Sequence, residues 1–180
     1  MTDLVDLDLR FMAAAERLAR RGLGRVWPNP SVAALIVRHD DGKAILVGRG
    51  VTSRPGMAHA EVNALTQAGR LARGATCYVT LEPCSHYGRT PPCAKALIEA
   101  GVSRVVVGMP DPNPRVSGRG IAMLREAGIE VEAGVRENAM RALYQGFTLR
   151  QLKQRPQVFL KLAVSRDGFI GRTGEGQVRI

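Results

Sequence analysis

Long apolar runs are missing from this chain. The longest strongly apolar stretch covers residues 32–37, far short of the roughly 20 residues that a bilayer-spanning helix needs. The first residues carry Asp3, Asp6 and Asp8 and contain no apolar signal-peptide core. Both absences point to a soluble, cytoplasmic protein without a membrane partner. Cysteine is scarce: three residues, Cys77, Cys84 and Cys93, are too few for a disulfide framework and suit a reducing compartment. Aromatic residues are 4% of the total, which leaves few platforms on which single-stranded nucleic acid could stack. Acidic residues are also outnumbered, 16 against 26 Lys and Arg, for a net charge of +10. The basic residues are scattered, with no block of five or six like charges, so no nucleic-acid partner is expected. A diffuse positive field would instead attract a small phosphorylated substrate.

A chain of 180 residues accommodates one domain and an appendage. A domain of about 150 residues buries roughly 70% of its unfolded surface and needs no disulfide staples. Apolar periodicity predicts a helix over 9–21, capped by Asp8, then a loop over 22–31 in which Pro28 and Pro30 flank Asn29. Strands follow over 32–38 and 44–50, joined through Asp40-Asp41-Gly42, a hairpin signal. A helix over 59–68 is expected to turn Val62 and Leu65 to the core. Beyond it the pattern gives a strand over 75–81, a helix from Pro91-Pro92 to Ala100, a strand over 102–109 and a helix over 118–127. A strand over 129–132 and one last helix over 136–150 complete the order. This alternation gives an α/β fold, a three-layer α/β/α sandwich on a five-stranded mixed sheet. Cys77 falls on a buried strand face and reads as a core cysteine.

Two pieces of this frame carry chemistry. His59-Ala60-Glu61 opens one predicted helix, and Pro83-Cys84 begins a loop that ends at Cys93, the start of another. An imidazole and two thiolates are ligands zinc accepts, and three protein ligands leave a fourth position for water. Glu61, two residues beyond His59, can take a proton from that water without ligating the metal. Histidine-x-glutamate followed by proline-cysteine is the signature of zinc nucleobase deaminases. Here eight residues separate the cysteines where the general signature has two. A zinc-stabilised basic binding module is the rival reading from another class. It needs a fourth protein ligand, and Cys77 is the only spare cysteine.

The segment 80–93, TLEPCSHYGRTPPC, closely resembles the pyrimidine deaminase of riboflavin biosynthesis, as do Pro28-Asn29-Pro30, His59-Ala60-Glu61-Val62 and Asp111-Pro112-Asn113-Pro114. The resemblance runs from about Phe11 to Phe147. It implies a cytidine-deaminase-like fold and one zinc per chain on His59, Cys84 and Cys93, with Glu61 as the catalytic acid and base. The implied substrate is 2,5-diamino-6-ribosylamino-4(3H)-pyrimidinone 5′-phosphate. Asn29, His86, Asp111 and Asn113 are then expected at its ring or ribose and Arg89 at its phosphate. Alternatives stay open for each: a turn role for Asn29, Asp111 and Asn113, a solvated charge for Arg89, and a rival zinc ligand in His86. A nucleotide or nucleic-acid deaminase of the tRNA adenosine type is the alternative within the same fold. Ala33, Ala58 and Thr52 depart from the family pattern, the last at a position where some members have histidine. Arg155-Pro156 and 160–168, LKLAVSRDG, resemble the opening of the reductase domain fused to this deaminase in bifunctional members. Residues 1–150 are therefore expected to form the deaminase, and 151–180 a linker and the first strand (157–164) of a truncated reductase. That run reads as a buried strand but, without the rest of that domain, is expected to be loosely held or lent to a neighbouring chain as an edge strand. NADPH would be used only by a full-length parent, with Ala163 its contact here, and the protein is expected to form a homo-oligomer.

Overall fold

The computed structural model describes residues 4–88, 91–114, 116–171 and 174. Its elements run α1 (Leu4–Arg20), β1 (Ala33–Asp40), β2 (Lys43–Val51), α2 (Ala60–Ala68), a 3₁₀ turn (Gly69–Ala72), β3 (Thr76–Val79), α3 (Cys93–Ala100), β4 (Arg104–Val107), α4 (Arg119–Glu126), β5 (Glu130–Ala133), α5 (Glu137–Leu143) and α6 (Gln145–Lys153). The strands form one sheet in the order β2-β1-β3-β4-β5. β1 pairs antiparallel with β2 and β3, whereas β3, β4 and β5 run parallel. The sheet is mixed and five-stranded, as the alternation of elements implies. Helices α2, α3 and α4 pack in sequence on one face, while α1 and α5 pack on the other. β3 and β4 are buried along their whole length, as expected for strands covered by helices on both sides.

Local chemistry explains the junctions. The hairpin turn places Asp41 at φ 49° and Gly42 at φ 73°, the left-handed pair that matches the twist of antiparallel strands. Helix α2 lies hard against β2: a Cβ on Gly50 would sit 2.1 Å from the Ala60 carbonyl oxygen. That approach is why α2 turns Ala60, Ala64 and Ala68 inward, with Val62 and Leu65 only half-buried. Hydropathy alone puts the two larger residues at the core. The space left by the strand glycines favours alanine.

Three further expectations are revised. Asp8 is not a cap but lies inside α1, buried, where its carboxylate accepts from both terminal Arg104 guanidinium nitrogens at 2.7 and 2.8 Å and from the Tyr78 hydroxyl at 3.0 Å. The last helix is two helices broken at Tyr144, whose buried hydroxyl bonds Thr80 at 2.6 Å and the Ser31 carbonyl at 3.2 Å. Those bonds draw Tyr144 into the core and redirect the chain into α6. The segment 157–164 is not a buried strand. Val158, Phe159 and Leu160 are 80–83% exposed, and the segment joins no strand of the sheet. The turn after it does form, with the Ser165 N–H donating to the Phe169 carbonyl and the Gly168 N–H to that of Ser165. No helix among the described residues is long and apolar enough to cross a membrane.

The Asp8–Arg104 pair ties α1 to β4 across the core. Asp8→Ala leaves the two terminal nitrogens of a guanidinium whose side chain is 11% exposed without their acceptor, while Nε keeps Glu130 at 2.8 Å, so urea unfolding should register a loss of about 2–3 kcal/mol. Asp6→Ala removes a 3.9 Å surface pair with Arg10 and should cost about 0–1 kcal/mol. Equal losses from the two changes would refute the role given to Asp8.

Candidate active site

Helix α2 begins immediately after His59, which occupies the N-cap with extended backbone (φ −77°, ψ 171°) and makes no side-chain cap bond. Its imidazole instead faces the cysteine loop, with Nδ1 3.3 Å from Cys93 Sγ and 3.7 Å from Cys84 Sγ. Cys93 is the first residue of α3, and its N–H donates to Cys84 Sγ at 3.3 Å. The Ala94 N–H donates to the Cys84 carbonyl at 3.1 Å, so the second helix start grips the first cysteine through both backbone and sulfur. All three ligand atoms lie within 4.8 Å of one another. Zinc–sulfur bonds of about 2.3 Å and zinc–nitrogen bonds of about 2.0–2.1 Å at tetrahedral angles put nitrogen and sulfur about 3.6 Å apart. The two measured separations straddle that value, so the donor set fits zinc. His86 is not part of this group.

The charges suit a cation. Cys84 is pulled down to about 4 by its hydrogen bond with Cys93, with His59 adding to the effect. Cys93 is pushed up by the same bond and by burial. His59 is raised, first by its bond to Cys84. Cys77 is buried and raised by desolvation, an inert core thiol as its strand position suggests. Glu61 is 3% exposed and raised to about 7, chiefly by burial and then by the Cys84 charge, while it hydrogen-bonds with Cys93. A carboxyl group thus sits against the ligand atoms without being one.

The floor formed by His59 and Cys84 opens into two adjoining hollows of about 460 and 280 Å³. Asn29 and His86 line both hollows, and Glu61 and Asn113 line the second. Thr52 also lines the second, where its Oγ1 accepts the Val32 N–H at 2.9 Å. Asp111 is not on this wall. Its carboxylate accepts the Asn113 N–H at 2.8 Å, so it shapes the loop that presents Asn113. Burial raises its pKa. Arg89 lies outside the described residues. Ala163 is exposed on the tail and lines neither hollow.

Sequence reasoning missed four residues on the second hollow: Glu82, Phe147, Arg150 and Gln151. Glu82 did carry a signal, being a carboxylate closing the apolar run 77–81. The other three come from α6, whose direction is set by the break at Tyr144 and leaves no local trace. Arg150 donates to the Pro28 carbonyl at 2.8 Å, fastening α6 to the loop that carries Asn29.

The sequence pattern of the cytidine and deoxycytidylate deaminase zinc-binding region matches residues 5–109. The chain is 52% identical over 161 residues to the riboflavin biosynthesis protein RibD of Escherichia coli K12, covering 89% of this chain and 43% of that protein. Acinetobacter baumannii RibD superposes with a TM-score of 0.83 at 51% identity, over 91% of this chain and 45% of that one. A Thermotoga maritima structure, described as a diaminohydroxyphosphoribosylaminopyrimidine deaminase and 5-amino-6-(5-phosphoribosylamino)uracil reductase, also gives 0.83, at 43% identity over 92% of this chain and 47% of that one. The chain spans less than half the length of these relatives.

Proposed function

Because this chain belongs to the cytidine and deoxycytidylate deaminase zinc-binding family, its chemistry is narrowed before a substrate is chosen, and we propose that it hydrolytically deaminates 2,5-diamino-6-ribosylamino-4(3H)-pyrimidinone 5′-phosphate. The products are 5-amino-6-ribosylamino-uracil 5′-phosphate and ammonia. The observation that carries this reading is the His59–Cys84–Cys93 donor set with buried Glu61 against it. The choice of substrate rests on the likeness to RibD proteins, which disfavours a nucleotide or tRNA adenosine deaminase.

His59, Cys84 and Cys93 would hold the zinc, which when bound would act as a Lewis acid, lowering the pKa of water from about 16 toward about 7. Glu61 accepts a proton from the attacking water at a carboxylate oxygen and delivers it to the ring nitrogen. It then carries the second water proton to the departing amine, so one water is consumed and one ammonia released. Burial excludes bulk water from that exchange. Asn29 can both donate and accept at a pyrimidine edge, with His86 and Asn113 completing the wall. Asp111 acts through Asn113, and Arg89 is assigned to the phosphate as a paired donor.

Zinc content and ammonia release test this reading together. Cys84→Ser and Cys93→Ser should each lose zinc while Cys77→Ser keeps it. Glu61→Gln should keep zinc and lose about 10²–10⁴ in rate. Full zinc occupancy in Cys93→Ser, or undiminished ammonia release by Glu61→Gln, would overturn the assignment.

We further propose that residues 1–150 are the deaminase unit and that 151–180 are a linker and the opening of a reductase region. The likeness to the longer RibD proteins and the exposed apolar run 158–164 support a further region after the deaminase, with α6 continuing to Lys153. That run also supports self-association into a homo-oligomer. Residues 151–171 hold no strand–helix unit that could receive a dinucleotide. Reduction with NADPH, with Ala163 as a contact, is therefore assigned to a full-length parent. Trp27, the only tryptophan and exposed, gives a fluorescence readout. NADPH added to this chain should give no saturable change, and saturation would contradict the assignment.

A further inference from the structure

Glu82 is a buried carboxylate, 4% exposed, for which the proposed chemistry has no use. Its two oxygens accept four backbone N–H groups. Oε2 takes those of Asp111 at 3.0 Å and Gly118 at 2.9 Å, and Oε1 those of Gly120 at 2.9 Å and Ile121 at 3.3 Å. A carboxylate has about four acceptor sites, so this one is saturated and free to bind neither metal nor substrate. The donors come from the loop after β4 and the first turn of α4. The acceptor belongs to the segment that leads from β3 to Cys84, two residues further on.

The joint is close-packed as well as hydrogen-bonded. The N-cap of α4, Gly118, has no side chain with which to cap the helix, and Glu82 does so from another part of the chain, adding a negative charge where the helix dipole favours one. A Cβ on Gly120 would stand 1.9 Å from the Pro83 carbonyl oxygen, so the first turn of α4 rests directly on the peptide that precedes Cys84. From the other side, Asp111 hands the constraint on by accepting the Asn113 N–H, and Asn113 lines the hollow above His59.

We propose that Glu82 is a positioning residue that locks the substrate-facing loop of Asp111 and Asn113 to the metal-bearing segment of Pro83 and Cys84. Its effect on substrate rests on the deaminase reading given above, whereas its effect on the backbone does not. Glu82→Gln keeps the shape but turns an NH2 group toward N–H donors, so two of the four bonds are lost. Hydrogen exchange should then accelerate by about tenfold or more at the pair that loses its acceptor, either Asp111 and Gly118 or Gly120 and Ile121, since bonds to a charged group are the stronger kind. Zinc content should stay at the wild-type level. KM for the pyrimidine should rise by about tenfold while kcat changes far less, the sign of lost binding rather than lost transition-state stabilisation. Glu82→Gln and Asn113→Ala should be strongly non-additive in KM, because both act through one contact.

Unchanged exchange at the four amides overturns the proposal, and so does a fall in kcat with KM untouched, or additivity with Asn113→Ala. If Glu82→Gln does not fold, exchange in the wild-type chain still decides. The four amides should be protected as a group beyond the adjoining loop, and individual rates like those of that loop overturn the lock. Absence of ammonia release from the wild-type chain would defeat the deaminase reading alone, since the exchange measurements would still test the lock.

Discussion

Three ligand atoms carried by two helix starts and one loop have to meet around a single point, and the rest of the structure is arranged to satisfy that demand. His59 ends the approach to α2, and Cys93 begins α3. Because the two helices pack side by side on one face of the sheet, their first residues arrive together. The tolerance is small: a tetrahedral site fixes donor separations to a few tenths of an ångström. Alanines on α2 and glycines on β2 let the first helix settle to backbone contact with the sheet. Larger side chains at either place would lift His59 away from the sulfurs.

Clustering ligands at helix N-termini has an electrostatic consequence. Aligned peptide dipoles place partial positive charge there, which favours the ionised form of Cys93 at the start of α3, although its bond with Cys84 and burial together raise that thiol. Glu61 lies in the first turn of α2, and there too burial outweighs the dipole and keeps the carboxyl reluctant to ionise. Glu82 is buried on the same wall, with four backbone amides gathered around its carboxylate. Two buried carboxylates within one wall thus have different surroundings.

The grouping of His59, Glu61, Cys84 and Cys93 was legible in the sequence because each member sits beside a local signal. His59 and Glu61 lie where a helix begins, and Cys84 and Cys93 are each preceded by proline. The succession of helices and strands along the chain was legible for the same reason, since alternating apolar runs and turn residues repeat along it. What escaped was set by contacts distant in sequence. Asp8 looks like a cap until Arg104, 96 residues away, is brought against it. One long helical pattern becomes two helices because Tyr144 is claimed by Thr80 and Ser31. The apolar run 158–164 has the composition of a buried strand, but burial also needs a partner edge, and none of the five strands supplies one.

That unpartnered run affects how the molecule behaves in concentrated solution. Five large apolar side chains, Val158, Phe159, Leu160, Leu162 and Val164, stand on backbone that no strand of the sheet has paired, the arrangement that invites edge-to-edge association between copies. Particle size should then climb with concentration through the tail alone, whether or not the sandwich has a dimerisation surface of its own. Light scattering on this chain would report the stickiness of residues 158–164 before it reported any assembly made by the sandwich.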